Sequence, residues 1–269
     1  MRIKIHDIHI HTTLSLCCRD PQATPENYLE LAVRRGLTSM GFSNHFWDSC
    51  IPGASDWYRI QDFDHISQLK PAFPREDAEK AGIRLLFGCE TEYAAGTLGM
   101  DPKRISSFDY VLIPHTHMHM KGFVIPETLT EPNDLAAFMI QTYREVVRLR
   151  LDVPTSIAHP FIAIGYPTEI QMELLERISD AAFRESFSIA AENRVGLELN
   201  TACLPLLPEY PGFRGHPMTR MYALAKECGV KFTMGSDAHS LSETETILQA
   251  PRFFQECGIT EEDLMDFVR

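Results

Sequence analysis

The sequence lacks an apolar run of about 18 residues, the shortest stretch that commonly spans a membrane as a helix. It also lacks the N-terminal pattern of a secretory signal peptide. Positive charge is scarce, because 25 Lys and Arg residues face 37 Asp and Glu residues and leave a formal net charge of −12. We therefore expect no membrane partner and no nucleic-acid partner, since a nucleic-acid surface needs clustered basic residues.

The cysteines do not have the pattern of a disulfide framework, because they are odd in number and scattered along the chain. They are Cys17, Cys18, Cys50, Cys89, Cys203, Cys228 and Cys257. Such usage is typical of a reducing compartment, so we expect a cytoplasmic protein. No flexible linker divides the 269 residues, and a hydrophobic content of 44% suffices for one domain over residues 1–269. The sequence leaves the oligomeric state open.

Short apolar runs rich in strand-forming residues recur seven times along the chain. They predict strands over 2–8, 38–43, 83–89, 108–114, 153–158, 195–199 and 230–235. Helices are predicted over 25–35, 132–150, 169–191 and 217–228, with two more near 242–249 and 261–268. Alternating strands and helices favour a parallel α/β sheet, and seven repeats favour a closed or nearly closed barrel with its functional residues at the carboxyl ends of the strands.

Local signals support several of these helix boundaries. Thr24 is a predicted N-cap, and Pro25 occupies the first helical position. Thr168 and Gln171 are spaced for a capping box, and Gly229 is a predicted C-cap. Residues 46–80 are rich in Trp and Pro and predict a long insertion over the barrel mouth.

His9 and His11 are the first candidate ligands for a metal ion. Side chains two residues apart on a strand point to the same face, so two imidazoles would reach the same place. Eight of the eleven histidines lie at predicted strand ends, a clustering that random placement would not produce. The candidates at these ends are His9, His11, His45, Glu90, His115, His117, His119, His159, Asp237 and His239. Together they predict a shared metal site at one rim of the barrel.

Each candidate also has a purely structural interpretation. His45 and His159 would serve equally as hydrogen-bonded core histidines, Glu90 as a loop residue, and Asp237 as a helix cap. The residues His115, His117 and His119 would share one face only if the chain stays extended after the fourth strand.

The motifs, taken in order, resemble the PHP (polymerase and histidinol phosphatase) superfamily. They are Asp7-Ile-His-Ile-His11, Gly41-Phe-Ser-Asn-His45, Gly88-Cys-Glu90, Phe108-Asp-Tyr-Val111, Ala158-His-Pro160, Glu198-Leu-Asn200 and Gly235-Ser-Asp-Ala-His239. The resemblance covers residues 7–239. Within the superfamily, the chain is most similar to stand-alone members of the histidinol phosphatase type. It implies a distorted seven-stranded (β/α)7 barrel with two or three divalent ions, usually zinc, manganese or iron.

The resemblance also implies how the ligands are shared. One ion would be held by His9, His11, Glu90 and Asp237. A second would share Glu90 and add His159 and a fourth-strand histidine, for which His117 best matches the family motif. A third would use His45 and His239, together with a residue at the position of Cys17, which would otherwise be a small buried side chain.

The implied activity is metal-dependent hydrolysis of a small phosphate monoester by metal-activated hydroxide at a dinuclear or trinuclear site. Asp237 or His239 would then pass a proton to the leaving group, although a ligated histidine does so poorly. Arg19, Arg194 and Arg214 are candidates for binding the substrate phosphate, with solvated surface arginines as the alternative. Pro160 is followed by Phe161, where histidinol phosphatases carry a basic residue.

Two other functions fit parts of the pattern. An amidohydrolase-like enzyme cleaving C–N bonds also begins with His-x-His, but that family has eight strands and usually a bridging lysine. A metal-stabilised regulatory domain without catalysis is the other alternative.

Overall fold

The computed structural model describes residues 3–206 and 215–269. Its central sheet contains seven parallel strands: β1 (His6–Ile10), β2 (Ser39–Phe42), β3 (Arg84–Thr91), β4 (Tyr110–Ile113), β5 (Thr155–Ile157), β6 (Gly196–Asn200) and β7 (Phe232–Gly235). Each strand pairs with the next in this order. Ile10 also pairs with Ala238, so β1 meets the end of β7 and the barrel is nearly closed. The predicted seven-stranded α/β barrel is confirmed.

The helices lie between the strands in the chain, except for the last helix, which follows β7. They are α1 (Pro25–Arg35), α2 (Phe63–Ile66), α3 (Arg75–Ala81), α4 (Pro132–Val146), α5 (Thr168–Arg177), α6 (Asp180–Glu192), α7 (Pro217–Glu227) and α8 (Ala250–Glu256). Thr24 caps α1 as predicted, because its side chain accepts from the Asn27 backbone N–H. Among the described ranges, no helix combines the length and apolar character needed to cross a membrane.

Several predicted helix boundaries were wrong. The single helix over 169–191 is two helices, because Ile178 is extended and the Ser179 side chain caps α6 by accepting from the Ala182 N–H. The predicted capping box is absent: Thr168 is already helical, and the Gln171 side chain donates to the Tyr166 carbonyl at 2.7 Å.

The C-terminal tail also differs from the prediction. Residues Glu243–Gln249 form a 3-10 helix, the following helix α8 was not predicted, and the segment near 261–268 forms two short 3-10 turns, Glu261–Asp263 and Asp266–Val268. By contrast, the predicted glycine at the end of α7 is confirmed: Gly229 follows Cys228 in the left-handed conformation at φ 83°, and its N–H donates to the Lys226 carbonyl at 2.9 Å, as in a Schellman motif.

Tyr110 of β4 fills the barrel interior across two neighbouring strands. A Cβ atom on Gly41 of β2 or Gly88 of β3 would lie 2.5 or 2.3 Å from Tyr110 atoms, so the ring needs glycine at both positions. Its hydroxyl donates to the Ile8 carbonyl of β1 at 2.5 Å. One side chain therefore ties four strands together and fixes their height relative to the rim.

The β2–β3 insertion (residues 46–80) begins at a short strand, His45–Phe46, which pairs with the end of β3. It carries the two short helices α2 and α3. A small apolar cluster separate from the main core, formed by Trp47, Tyr58, Ala94 and Val124, anchors it. Trp57 and Tyr58 line a pocket at the barrel mouth, where the insertion was predicted to lie.

Candidate metal centre

Residues from three strand ends form the first cluster. The Nε2 atoms of His9 and His11 lie 3.2 Å apart. The Glu90 Oε2 atom lies 3.5 and 3.6 Å from these two nitrogens, and the Asp237 Oδ1 atom lies 3.3 and 3.2 Å from them. A zinc ion with tetrahedral bonds of about 2.0–2.1 Å needs ligand atoms about 3.3–3.4 Å apart. These separations therefore fit the ligands of one divalent ion.

The other oxygen of Glu90 faces a second cluster. Glu90 Oε1 lies 3.1 Å from His159 Nε2 and 3.8 Å from His117 Nε2. Of the three fourth-strand histidines, only His117 points to Glu90. His115 is fully buried against the rings of Tyr143 and Phe161. Glu90 is thus the one side chain shared by both clusters.

A third group contains His11, His45 and His239, each of which offers a ring nitrogen within 4.8 Å of the others. His45 Nδ1 also lies 2.9 Å from Glu90 Oε2, yet neither atom has an aligned hydrogen-bond partner, so both are free to bind an ion. Cys17 lines the same pocket as His45 and His239 but is not part of this group. Cys17 is exposed, so the alternative of a small buried side chain was wrong. Partial desolvation of its thiol and the nearby Glu90 raise the pKa of Cys17 to about 12, so without an ion it is a neutral thiol.

Two of these side chains are aimed by an unusual backbone. His159 has φ 29° and Asp237 has φ 54°, both in the left-handed region that non-glycine residues rarely adopt. Gly235, two residues before Asp237, is constrained in another way, because there is no space for a side chain. A Cβ there would lie 2.0 Å from Glu198 Oε1 and 2.4 Å from His9 Cβ. The chain turns sharply at these strand ends and directs the side chains into the rim.

Buried partners hold the far side of each imidazole. His9 Nδ1 lies 2.7 Å from Glu198 Oε1, His117 Nδ1 lies 2.6 Å from Glu92 Oε2, and His11 Nδ1 lies 3.0 Å from Ser15 Oγ. A carboxylate only accepts, so Nδ1 of His9 and of His117 carries a hydrogen, and in the neutral ring Nε2 would present its lone pair to the cluster. This arrangement is typical of histidines that bind metal ions.

The electrostatics of the centre favour bound positive charge. Burial alone would raise the pKa values of Glu90 and Asp237, but the nearby histidines hold both values below their usual range. Against the effect of burial, Glu198, Asp237 and Glu90 raise the pKa of His9 well above its usual value. Glu92 likewise raises the pKa of His117 to about 9, although burial lowers it. Protons and divalent ions would therefore compete for the same place.

The clusters open into a pocket of about 430 Å³, whose described lining includes Trp57, Tyr58, Met120 and Ile164 beside the candidate ligands. Among the arginines predicted to bind phosphate, the exposed Arg19 follows the pocket residue Cys17 by two positions. Arg194 lies two residues before β6 and lines a cavity at the amino ends of the strands. This placement, at the opposite end of the barrel from the clusters, does not support the predicted contact with a substrate phosphate. Arg214 lies outside the described residues.

Glu92, Glu198 and Ser15 were not predicted to have a role. A weak signal existed for Glu92, because it stands two residues after Glu90 and shares its face where the strand ends. Glu198 had been noted only as part of a motif. Its contact with His9 joins residues 189 apart in sequence, which no local pattern reveals.

Comparison with known proteins gives three findings. The family model described as the PHP domain matches residues 7–202. A probable histidinol-phosphatase from Deinococcus radiodurans is 26% identical over 249 residues, which cover 88% of this chain and 87% of that protein. The crystal structure of histidinol phosphate phosphatase from Lactococcus lactis, in complex with zinc, L-histidinol and phosphate, has a TM-score of 0.65 at 20% identity and covers 96% of this chain and 95% of its own. At that identity the likeness extends to the fold.

Proposed function

Because this chain belongs to the PHP domain family, we propose that it is a metal-dependent phosphoesterase that hydrolyses a small phosphate monoester. One observation carries the proposal. The two oxygens of Glu90 face two different histidine clusters, as expected for a carboxylate that bridges two ions. Stability of the barrel alone does not explain why histidines and carboxylates gather at one rim, because buried charges are costly without counter-charges.

The ligands would divide as follows. His9, His11, Glu90 and Asp237 would hold one divalent ion, and Glu90, His117 and His159 a second. His45 and His239, with Cys17 or His11, would hold a third. The ions, which we propose to be zinc, manganese or iron, would supply hydroxide at neutral pH and neutralise charge on the phosphoryl oxygens.

The protein's own groups would orient the ligands and the substrate. His239 Nδ1 lies 2.9 Å from the Asp237 carbonyl, so this nitrogen carries a hydrogen and donates it. In the neutral ring Nε2 then has only a lone pair, which supports a role as ligand and not as the acid that protonates the leaving group. The Asp237 carboxylate accepts from the Asn200 side chain at 3.2 Å, and its pKa is low, so it too is a ligand or a base.

The identity of the substrate follows less directly. The relatives are named for histidinol phosphate, which makes it the first compound to test. However, Phe161 stands where such enzymes carry a basic residue, and it is fully buried against His115, Tyr143 and Phe183. This position therefore supplies no cationic side chain that could bind a substrate phosphate. For this reason we propose the broader class of small phosphate monoesters.

We further propose that residues 1–269 work as one domain. The family match ends at residue 202, yet β7, Asp237 and His239 come later in the chain and complete both the barrel and the clusters. The His11 N–H donates to the Ala238 carbonyl at 2.9 Å and links the two ends of the chain at the site itself.

The test uses purified protein stripped with a chelator and reloaded with zinc or manganese. Phosphate release is measured from p-nitrophenyl phosphate and from histidinol phosphate, and bound metal is counted by elemental analysis. We expect Glu90→Gln and His9→Ala to lose metal and activity. His65→Ala is the matched control, because Nε2 of that histidine lies 2.8 Å from the Leu14 carbonyl and the residue belongs to none of the clusters.

Phosphate release that is equal in wild type and His9→Ala would remove the proposal. Metal binding without hydrolysis of any phosphate ester would favour the regulatory alternative. Hydrolysis of amides or cyclic amides would favour the amidohydrolase alternative. The presence of Glu90, where that family usually has a bridging lysine, counts against it.

A further inference from the structure

Tyr58 connects the β2–β3 insertion to the second cluster through a buried carboxylate. Its hydroxyl donates to Glu92 Oε2 at 3.0 Å, and the same oxygen lies 2.6 Å from His117 Nδ1. The other nitrogen of His117 faces Glu90. Tyr58, Glu92 and His117 therefore form a chain of hydrogen bonds that runs from the insertion to a candidate ligand of the second cluster.

All three side chains of this chain are almost completely shielded from solvent. Tyr58 and Glu92 are 0% exposed and His117 is 7% exposed. A buried carboxylate is stable only when donors satisfy it, and Glu92 Oε1 has no hydrogen-bond partner in the described structure. Both hydrogen bonds to Glu92 thus converge on Oε2, so losing the tyrosine hydroxyl would remove one of two donors that fix the carboxylate.

Aromatic residues of the insertion and of the loop after β4 hold the ring of Tyr58. It packs with Trp47 and Phe123, at centroid distances of 6.1 and 5.8 Å, and belongs to the small apolar cluster that is separate from the main core. The position of its hydroxyl therefore depends on how the insertion packs into this cluster, and the ring also contacts His45, at a centroid distance of 6.1 Å.

We propose that Tyr58 is a positioning residue for the second cluster. Through Glu92 it orients the imidazole of His117, so that the affinity of this cluster for a divalent ion depends on the insertion being packed in place. The inference rests on the proposed function, because it requires that Glu90, His117 and His159 bind an ion. It goes beyond the proposed function because it makes the affinity for the ion depend on residues of the insertion.

The experiment titrates the chelator-stripped, full-length protein with zinc in competition with a chromophoric chelator. Tyr58→Phe removes only the hydroxyl. Tyr143→Phe is the matched control, because it also removes a buried tyrosine hydroxyl, one with no hydrogen-bond partner in the described structure. Loss of an outer partner of a ligating histidine usually lowers metal affinity about 10–100-fold. We expect Tyr58→Phe to weaken one zinc equivalent about tenfold, and Tyr143→Phe to weaken none.

A His159→Ala background identifies the affected equivalent. His159 belongs to the second cluster, so Tyr58→Phe should weaken no remaining equivalent once His159 is gone. Glu92→Gln provides a second variant if Tyr58→Phe does not fold by circular dichroism. We expect it to weaken the same equivalent by about 10–100-fold.

Selective loss of one equivalent, absent from the control and from the His159→Ala background, supports the inference. Unchanged binding in a folded Tyr58→Phe or Glu92→Gln variant, or equal weakening of every equivalent, overturns it and leaves the proposed function intact. If the wild type itself binds neither zinc nor manganese, both the proposed function and this inference fail.

Discussion

Glu198 serves both clusters at once, and its replacement by glutamine gives a quantitative test. Its Oε1 atom lies 2.7 Å from His9 Nδ1, and its Oε2 atom accepts from the backbone N–H of His159 at 2.7 Å. The Asn200 side chain donates to Oε2 as well, at 3.3 Å. Glutamine has the same shape but only one acceptor oxygen, so its NH₂ group must face one of these donors.

The magnitude follows from the hydrogen bond that is lost. A hydrogen bond to a charged group contributes about 1.5–3 kcal/mol, and a tenfold change in an equilibrium constant corresponds to about 1.4 kcal/mol. We therefore expect Glu198→Gln to weaken metal binding by about 10–100-fold, in line with the usual effect of removing the partner of a ligating histidine. Because Glu198 is fully buried, solvent does not reduce this contribution.

Zinc titration of the stripped protein measures the effect. Glu185→Gln is the matched control, because that carboxylate forms an ion pair with Arg144 while its side chain is 64% exposed. Exposed pairs contribute about 0–1 kcal/mol to stability, and this one lies on α6, away from the rim. An affinity within twofold of wild type for Glu198→Gln, or an equal loss in both variants, would refute the reasoning.

Three further predictions concern other parts of the molecule. Gly88→Ala should lower the free energy of unfolding in urea by about 1–3 kcal/mol through overpacking, because its Cβ would lie 2.3 Å from the Tyr110 ring; an unchanged midpoint would contradict this. Burial lowers the pKa of His6 to about 3, so the unfolded state binds an extra proton between about pH 6.5 and 3, and stability falls on acidification by up to about 1.4 kcal/mol per pH unit. His6→Gln, which can still accept from the Met234 N–H, should show a shallower decline in urea unfolding across this range, and parallel curves would argue against the assignment. Cys17→Ser should lower the occupancy of a third zinc equivalent and spare the other two in elemental analysis, whereas identical stoichiometry would exclude Cys17 as a ligand.

Most of the barrel could be predicted because its strands are buried on both faces and read as apolar runs. The first strand was misplaced, at 2–8 instead of His6–Ile10, because Ile3 and Ile5 look like strand residues while pairing with β2 begins only at His6. The break between α5 and α6 was missed because apolar residues keep helical spacing across it. Ser179 followed by Asp180 is a recognisable cap in retrospect.

The candidate site was predicted as a set of strand ends, since parallel strands bring their carboxyl ends to one rim. Choosing among the fourth-strand histidines required coordinates. After β4 the chain turns, with the Met118 N–H donating to the Thr116 carbonyl at 2.7 Å, so simple alternation does not hold. The partners Glu92 and Glu198 were missed because their contacts depend on packing between strands. The sequence alone argued against a role for Arg194 at the rim, because this residue precedes its strand and therefore lies at the amino end.

The left-handed backbone at His159 and Asp237 implies a trade-off between stability and activity. Such conformations cost on the order of 1–3 kcal/mol each, and Glu90 adds like-charge repulsion, since it raises the pKa of Asp237 against the lowering by the histidines. Because the histidines lower the pKa of Asp237 overall, its charged carboxylate stabilises the folded protein, and the strained backbone is the cost that remains. Selection for thermal robustness alone would favour glycine at these two positions at the expense of the candidate ligands, so stabilised variants of the protein are best sought in the helices that surround the barrel.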